Sequence, residues 1–248
     1  MSELRYLASG DTGLTVDFGN IIDVNTNRRV MALRDEIAKQ NWNGIVETFP
    51  TFRSLFIQYD PCLITYKELC ARLDGISLPD VHNTQHVKHI LEVPVCYGAR
   101  FGADLHSGEK LTGLDMDEII AIHSGRDYRI YMLGFLPGFP YLGGLDERIH
   151  MPRLDNPRTK IPAGSVGIGG SQTGVYPIAS PGGWRLIGAT PLDLYDPHRK
   201  PPILYKSGDY IRFRPISIDE YYDIRHQMMH GSYEYRFFDE EVTGKEEA

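Results

Sequence analysis

The sequence predicts an α+β protein of two domains: a small N-terminal α/β sandwich-like domain over residues 1–84 and a β-barrel domain over 85–216, with a C-terminal helix and tail over 217–248. Three observations carry this. Extended and helical signals alternate through the first eighty residues, the order of a sheet covered by helices. A hydrophilic stretch, Pro79-Asp-Val-His-Asn-Thr-Gln-His86, separates that block from an alternating strand pattern. From Tyr131 to Pro197, 12 glycines and 9 prolines occupy 21 of 67 positions, a density that forbids long helices and suits short strands joined by elaborate loops.

In order, Leu14-Thr-Val-Asp-Phe18 reads as a strand, and Val30, Leu33 and Ile37 lie three and four apart, the spacing of one helical face. Ile45–Phe49 and Arg53–Tyr59 read as strands around a Pro50-Thr51 turn. Thr65 followed by Glu68 is a capping-box pattern, and it opens a helix whose inner face holds Tyr66, Leu69, Cys70 and Leu73. His89–Val95 is the first strand of the barrel. Asp115 and Glu118 form a second capping box, with Gly125 as the stop, so these carboxylates are caps rather than catalysts. Short strands follow at Ser165–Ile168, Val175–Ala179 and Trp184–Ala189, and a hairpin from Ile203 to Arg214, turning at Ser207-Gly208-Asp209, completes the barrel. Ser217 with Glu220 caps a last helix carrying Ile218, Tyr221, Tyr222 and Met228, and Gly244-Lys-Glu-Glu-Ala248 reads as a frayed tail.

Composition removes several classes of function. The net charge is −7 and the basic residues are scattered, whereas a nucleic-acid protein needs a concentrated basic face. The N-terminus has no apolar core of signal length, and the longest uncharged run, Ile161–Trp184, is too rich in glycine and proline to form a membrane helix. Cys62, Cys70 and Cys96 are odd in number and contain no CxxC, which fits reduced thiols in a cytoplasm and no zinc site. His82, His86 and His89 could line a helical face and bind metal, but Pro79 and the strand after it favour a solvated linker.

Gly167-Ile-Gly-Gly170 invites a nucleotide reading, yet Gln172 stands where GxGxxG requires glycine and no helix pattern follows. Walker spacing fails as well, so a phosphate here would be held by turn amides and a nearby Arg or Lys. Ser165 approaches a nucleophile elbow, but the helix that an elbow requires is missing. Three features remain. Phe135, Phe139 and Tyr141, in an uncharged Gly/Pro segment, line either a core layer or an exposed apolar groove; the core is expected for Phe135, and a surface loop for Phe139 and Tyr141, which fall between prolines and glycines. Arg153, Arg158 and Lys160, opposed in sequence only by Asp155, either grip a carboxylate or phosphate or form a solvated loop. Gln172, Thr173, Tyr176, Ser180 and Trp184 place polar heads and large rings among glycines, closing turns or orienting a ligand. Together they describe a pocket for a small polar molecule with an anionic group: Arg153, Arg158 and Lys160 for the anion, Gln172, Thr173 and Tyr176 for orientation, and Phe139, Tyr141 and Trp184 for the walls. No complete catalytic set accompanies them, and the catalytic residues stay unassigned.

The segments Gly134-Phe-Leu-Pro-Gly-Phe-Pro-Tyr-Leu-Gly-Gly-Leu145, Pro152-Arg153, Ile161-Pro-Ala-Gly-Ser-Val-Gly167, Gln172-Thr-Gly174, Tyr176-Pro177 and Ser180-Pro-Gly-Gly-Trp184 strongly resemble the B subunit of bacterial 5-oxoprolinase, formerly termed allophanate hydrolase subunit 1. The family includes the inhibitor of the sporulation histidine kinase A. The likeness extends to Gly10–Phe18 and Ser207–Phe213. It implies that the barrel is cyclophilin-like and equals half of a urea carboxylase carboxyltransferase region. It also implies a cytoplasmic, non-autonomous subunit that opens 5-oxo-L-proline to L-glutamate with ATP and Mg at the level of the complex, beside the A subunit and a C-subunit homologue of the same enzyme. Two alternatives stand beside it: a histidine kinase inhibitor docking through the apolar barrel groove, and a subunit of an allophanate or urea-carboxylase type complex. A cyclophilin-like barrel alone does not make a prolyl isomerase.

Overall fold

The computed structural model describes residues 4–80 and 85–243. Residues 81–84 with His82, the side chains of Gln85 and His86, and the Gly-Lys-Glu-Glu-Ala tail lie outside the described residues. The chain divides into two compact units, Met1–Val87 with Glu241–Ala248, and Lys88–Glu240.

The first unit contains β1 (Arg5–Ala8), β2 (Gly13–Asp17), α1 (Val24–Gln40), β3 (Ile45–Pro50), β4 (Ser54–Tyr59) and α2 (Tyr66–Asp74). Its sheet is antiparallel in the order β1-β2-β4-β3. Strand alternation turns Leu14, Val16, Leu55 and Ile57 to one face, where they meet Val30, Leu33 and Ile37 of α1 and Leu69 and Leu73 of α2 in a single core. Asp23 caps α1 by accepting from the Thr26 amide at 2.8 Å. The Thr65–Glu68 capping box forms in both directions at the start of α2.

The second unit is built from β5 (Gln85–Tyr97), α3 (Leu105–Thr112), α4 (Met116–Ser124), β6 (Asp127–Leu133), β7 (Pro140–Gly143), a 3-10 turn at Glu147–Ile149, β8 (Arg158–Ile161), β9 (Ser165–Gly169), β10 (Gln172–Val175), β11 (Ser180–Gly182), β12 (Arg185–Ala189), β13 (Tyr210–Pro215), α5 (Ile218–Met229) and β14 (Phe237–Thr243). The order β12-β9-β10-β7-β6-β13-β5 returns to β12 through Gly188–Tyr97 and Ala189–Cys96, so seven strands close a barrel, and β14 adds to β5. Val93, Ile130, Leu142, Val166, Ile168, Val175, Ile187, Ile211 and Phe213 fill the interior. β8 and β11 pair only with each other, forming a ribbon separate from the ring. α4 packs on β13 and carries the predicted Asp115–Glu118 capping box, and Ser217 caps α5 as the sequence requires.

The predicted hairpin from Ile203 to Arg214 does not form. The turn at Ser207-Gly208 is present, but Ile203 bridges Tyr195, while β13 lies parallel to β5 and antiparallel to β6. Burial decides this: Ile211 and Phe213 insert into the core only when β13 runs in the middle of the barrel wall. The strand expected at Val175–Ala179 lies earlier, at Gln172–Val175, and Pro177, which has no amide to donate, follows its end. β1, α3, β6, β7, β8, β11 and β14 are additions to the sequence reading.

Candidate functional site

The wall formed by β7, β10 and β9 has two faces. Ile168, Thr173 and Val175 point into the barrel; Gly167, Gly169, Gln172 and Gly174, offset by one residue, point the other way. On that outer face lies a second apolar cluster of Phe139, Ile161, Tyr176, Trp184 and Leu186, with Leu136 and Tyr141 at its margin. Trp184 rests flat on the wall because the residues under it lack Cβ. A Cβ at Gly169 would lie 2.4 Å from the indole Cδ1 and Nε1, and one at Gly174 would lie 3.0 Å from Cζ3. The Gly-Ile-Gly run is therefore a floor for an indole and not a phosphate cradle. The rings meet edge to face: Phe139 lies 5.5 Å from Trp184, 5.3 Å from Tyr176 and 5.2 Å from Tyr141 between centroids.

The expected placement of Phe135 and Phe139 is reversed: Phe139, at the start of the β6–β7 pairing, is 2% exposed in the cluster, whereas Phe135 at its edge packs edge-on against Phe139 at 5.6 Å yet is 63% exposed, and its φ of 63° is left-handed, where a bulky side chain is strained. Tyr176 is held by its main chain, its amide donating to the Ser165 carbonyl and its carbonyl accepting from Gly164. Burial pushes its phenol above the usual tyrosine range, opposed by a hydrogen bond with the Trp184 main chain and by the fields of Arg153 and Arg158.

The structure sorts the predicted site residues into three groups. Phe139, Tyr141, Tyr176, Trp184, Arg153 and Arg158 converge on the outer face, and the register places Gln172 on that face opposite Gly169. Lys160 is exposed on the β8–β11 ribbon, two residues from Arg158. Thr173 is the exception: it is fully buried inside the barrel, because strand alternation sends it opposite to Gln172. There its hydroxyl donates to the Gly167 carbonyl at 3.1 Å and accepts from His123 Nε2 at 2.8 Å, so Nδ1 accepts from the Tyr97 hydroxyl at 2.7 Å. Burial lowers the His123 imidazole to about 3, leaving it neutral.

The two arginines also differ. The sequence sets only Asp155 against them, but Arg158 pairs with Asp104 at 2.8 Å, and the same carboxylate accepts from the Leu186 amide at 2.7 Å. Asp104, 54 positions away in sequence, is the residue that sequence reasoning misses. Other carboxylates of this region are also engaged: Asp146 by Arg148 and Arg126, and Asp193 by Arg225. Among the described residues, no group of three His, Cys, Asp or Glu is placed to hold a metal ion, and no helix is long and apolar enough to cross a membrane. Phe139, Tyr176 and Trp184 are 2%, 2% and 5% exposed, so these rings form a closed satellite core and not the open pocket walls that the sequence suggests; the exposed Arg153 lies at the margin of that core.

A closed barrel with this flanking ribbon defines the class. The family model for the carboxyltransferase domain, subdomain C and D, matches residues 4–205, and the chain superimposes on the Kluyveromyces lactis urea amidolyase over 98% of its own length and 16% of that chain, with a TM-score of 0.81 at 22% identity. This chain is a carboxyltransferase subdomain C and D protein. Within that class it is 44% identical over 227 residues to the B subunit of the Bacillus subtilis 5-oxoprolinase, covering 86% of this chain and 93% of that one. It therefore belongs to the family of 5-oxoprolinase B subunits. The solved structure of TTHA0988 matches 83% of this chain at 34% identity and a TM-score of 0.74, and this chain spans 40% of that longer one.

Proposed function

We propose that this chain is the B subunit of an ATP-dependent, cytoplasmic 5-oxoprolinase, inactive alone, that opens 5-oxo-L-proline to L-glutamate together with the A subunit and a C-subunit homologue. The supporting observation is the family membership together with Arg153, an exposed cation at the margin of the aromatic cluster, while Arg158 beside it is tied to Asp104. Among the described residues no acid–base pair is linked to this cation, which fits a polypeptide that contributes part of a site. The glycine run does not fit ATP, since Trp184 fills the space a phosphate would need, and the nucleotide belongs to another part of the complex.

The test is glutamate release from 5-oxoproline and ATP by the three subunits mixed, with each omitted in turn. Release that requires this chain upholds the reading; equal release without it refutes it.

A further inference from the structure

We infer that Arg153, and not Arg158, reads the carboxylate of the bound lactam, and that it is the residue by which this chain selects an α-carboxylated substrate; this rests on the 5-oxoproline reading above. The argument begins with what each cation already does. Arg158 is committed: its Nη2 donates to Asp104, whose other oxygen is held by the Leu186 amide, so a ligand carboxylate would have to compete with a half-buried ion pair. Lys160 has no ring beneath it and is a hydrated, flexible point charge. Arg153 is different on both counts. Its guanidinium carbon lies 5.9 Å from the Trp184 ring centroid, and among the described residues no hydrogen bond or ion pair engages its nitrogens.

A cation–π contact at this distance uses the charge of the guanidinium and none of its N–H donors, which stay available to a ligand. Their fork fits a carboxylate bidentately. The geometry is set in advance by the fold. The Pro152 carbonyl accepts from Arg185 Nε at 2.9 Å, the Leu154 amide donates to the Gly183 carbonyl at 2.7 Å, and Met151 bridges Gly170. The residues on both sides of Arg153 are thus tied to the chain that carries Trp184, and Trp184 is itself seated on the glycine floor.

In the reconstituted complex, Arg153→Gln is expected to raise the KM for 5-oxoproline by about 10- to 100-fold, the loss of one charge-assisted contact, with a smaller change in kcat. Arg153→Lys should recover part of that loss. Inhibition by 2-pyrrolidinone, the same lactam without the carboxylate, should be no weaker in Arg153→Gln than in the parent. Because the side chain is exposed, the variant's melting temperature should stay near the parent value. Arg158→Gln serves as the contrast: it should lower the melting temperature. A parent-like KM in Arg153→Gln, or a loss for 2-pyrrolidinone equal to that for 5-oxoproline, would overturn the assignment. A parent complex that makes no glutamate would instead overturn the functional reading beneath it.

Discussion

Replacing Gly169 by Ala tests whether the Trp184 wall depends on the missing side chain. The backbone at Gly169 is not left-handed, so Ala is conformationally allowed and the perturbation is steric. The new methyl would sit 2.4 Å from two indole atoms and 2.7 Å from a third, against an ordinary carbon contact of about 3.5–4.0 Å. The indole must therefore retreat by roughly 1 Å, and overpacking of this kind costs about 1–3 kcal/mol. For a unit of this size that lowers the melting temperature by about 2–12 °C. The indole is 5% exposed in the parent, so its displacement should move its emission to longer wavelength. The chain has two tryptophans, and a Trp42→Phe background isolates Trp184. The KM for 5-oxoproline should rise in parallel, since Arg153 loses its platform. An Ala variant with the parent's melting temperature and unshifted emission would refute the glycine-floor argument.

His123 gives a pH prediction. Its imidazole is neutral in the folded chain down to about pH 3, against an ordinary value of 6.5, so below 6.5 the unfolded chain binds a proton that the folded chain refuses. Stability from this group falls as pH drops from 6.5 toward 3, by about 1.4 kcal/mol per pH unit. Denaturant titrations at stepped pH should show that slope, and His123 ring resonances that titrate near 6.5 would contradict it. Phe135→Gly removes a left-handed strain of about 1–2 kcal/mol, partly offset by the flexibility of glycine, so thermal unfolding should shift upward while the KM for 5-oxoproline rises. A lower melting temperature would mean that the Phe135–Phe139 contact outweighs the strain.

What the sequence makes legible here is local. The capping pairs at Thr65–Glu68 and Asp115–Glu118 form as read because the chemistry of a single turn decides them. The apolar spacing of α1 and the aromatic, glycine-rich character of the site segment are equally readable. What escapes depends on partners far along the chain. β13 reads as half of a hairpin because its real partner, Ile90–Val95, lies more than a hundred positions upstream. Arg158 looks free in the sequence because its counter-ion is Asp104. Thr173 and Gln172 look alike as polar neighbours, and only a strand places one inside the barrel and the other outside. The glycines suggest amides approaching a ligand, whereas they let an indole approach a sheet. α3 is hidden by its own Gly108, where a Cβ would lie 2.8 Å from the Met151 methyl and so press on that side chain.

The ring of seven strands closes without β8 and β11. None of the barrel's ladder bonds is surrendered if that ribbon lifts, and the ribbon carries Arg158, Lys160 and the Ile161 side chain that seals the aromatic cluster. The scaffold can thus stay protected against hydrogen exchange while the amides of the ribbon exchange through a smaller, local opening. The cost of such an opening is the burial of Ile161 in the aromatic cluster and the Arg158–Asp104 pair, not the ladder of the barrel.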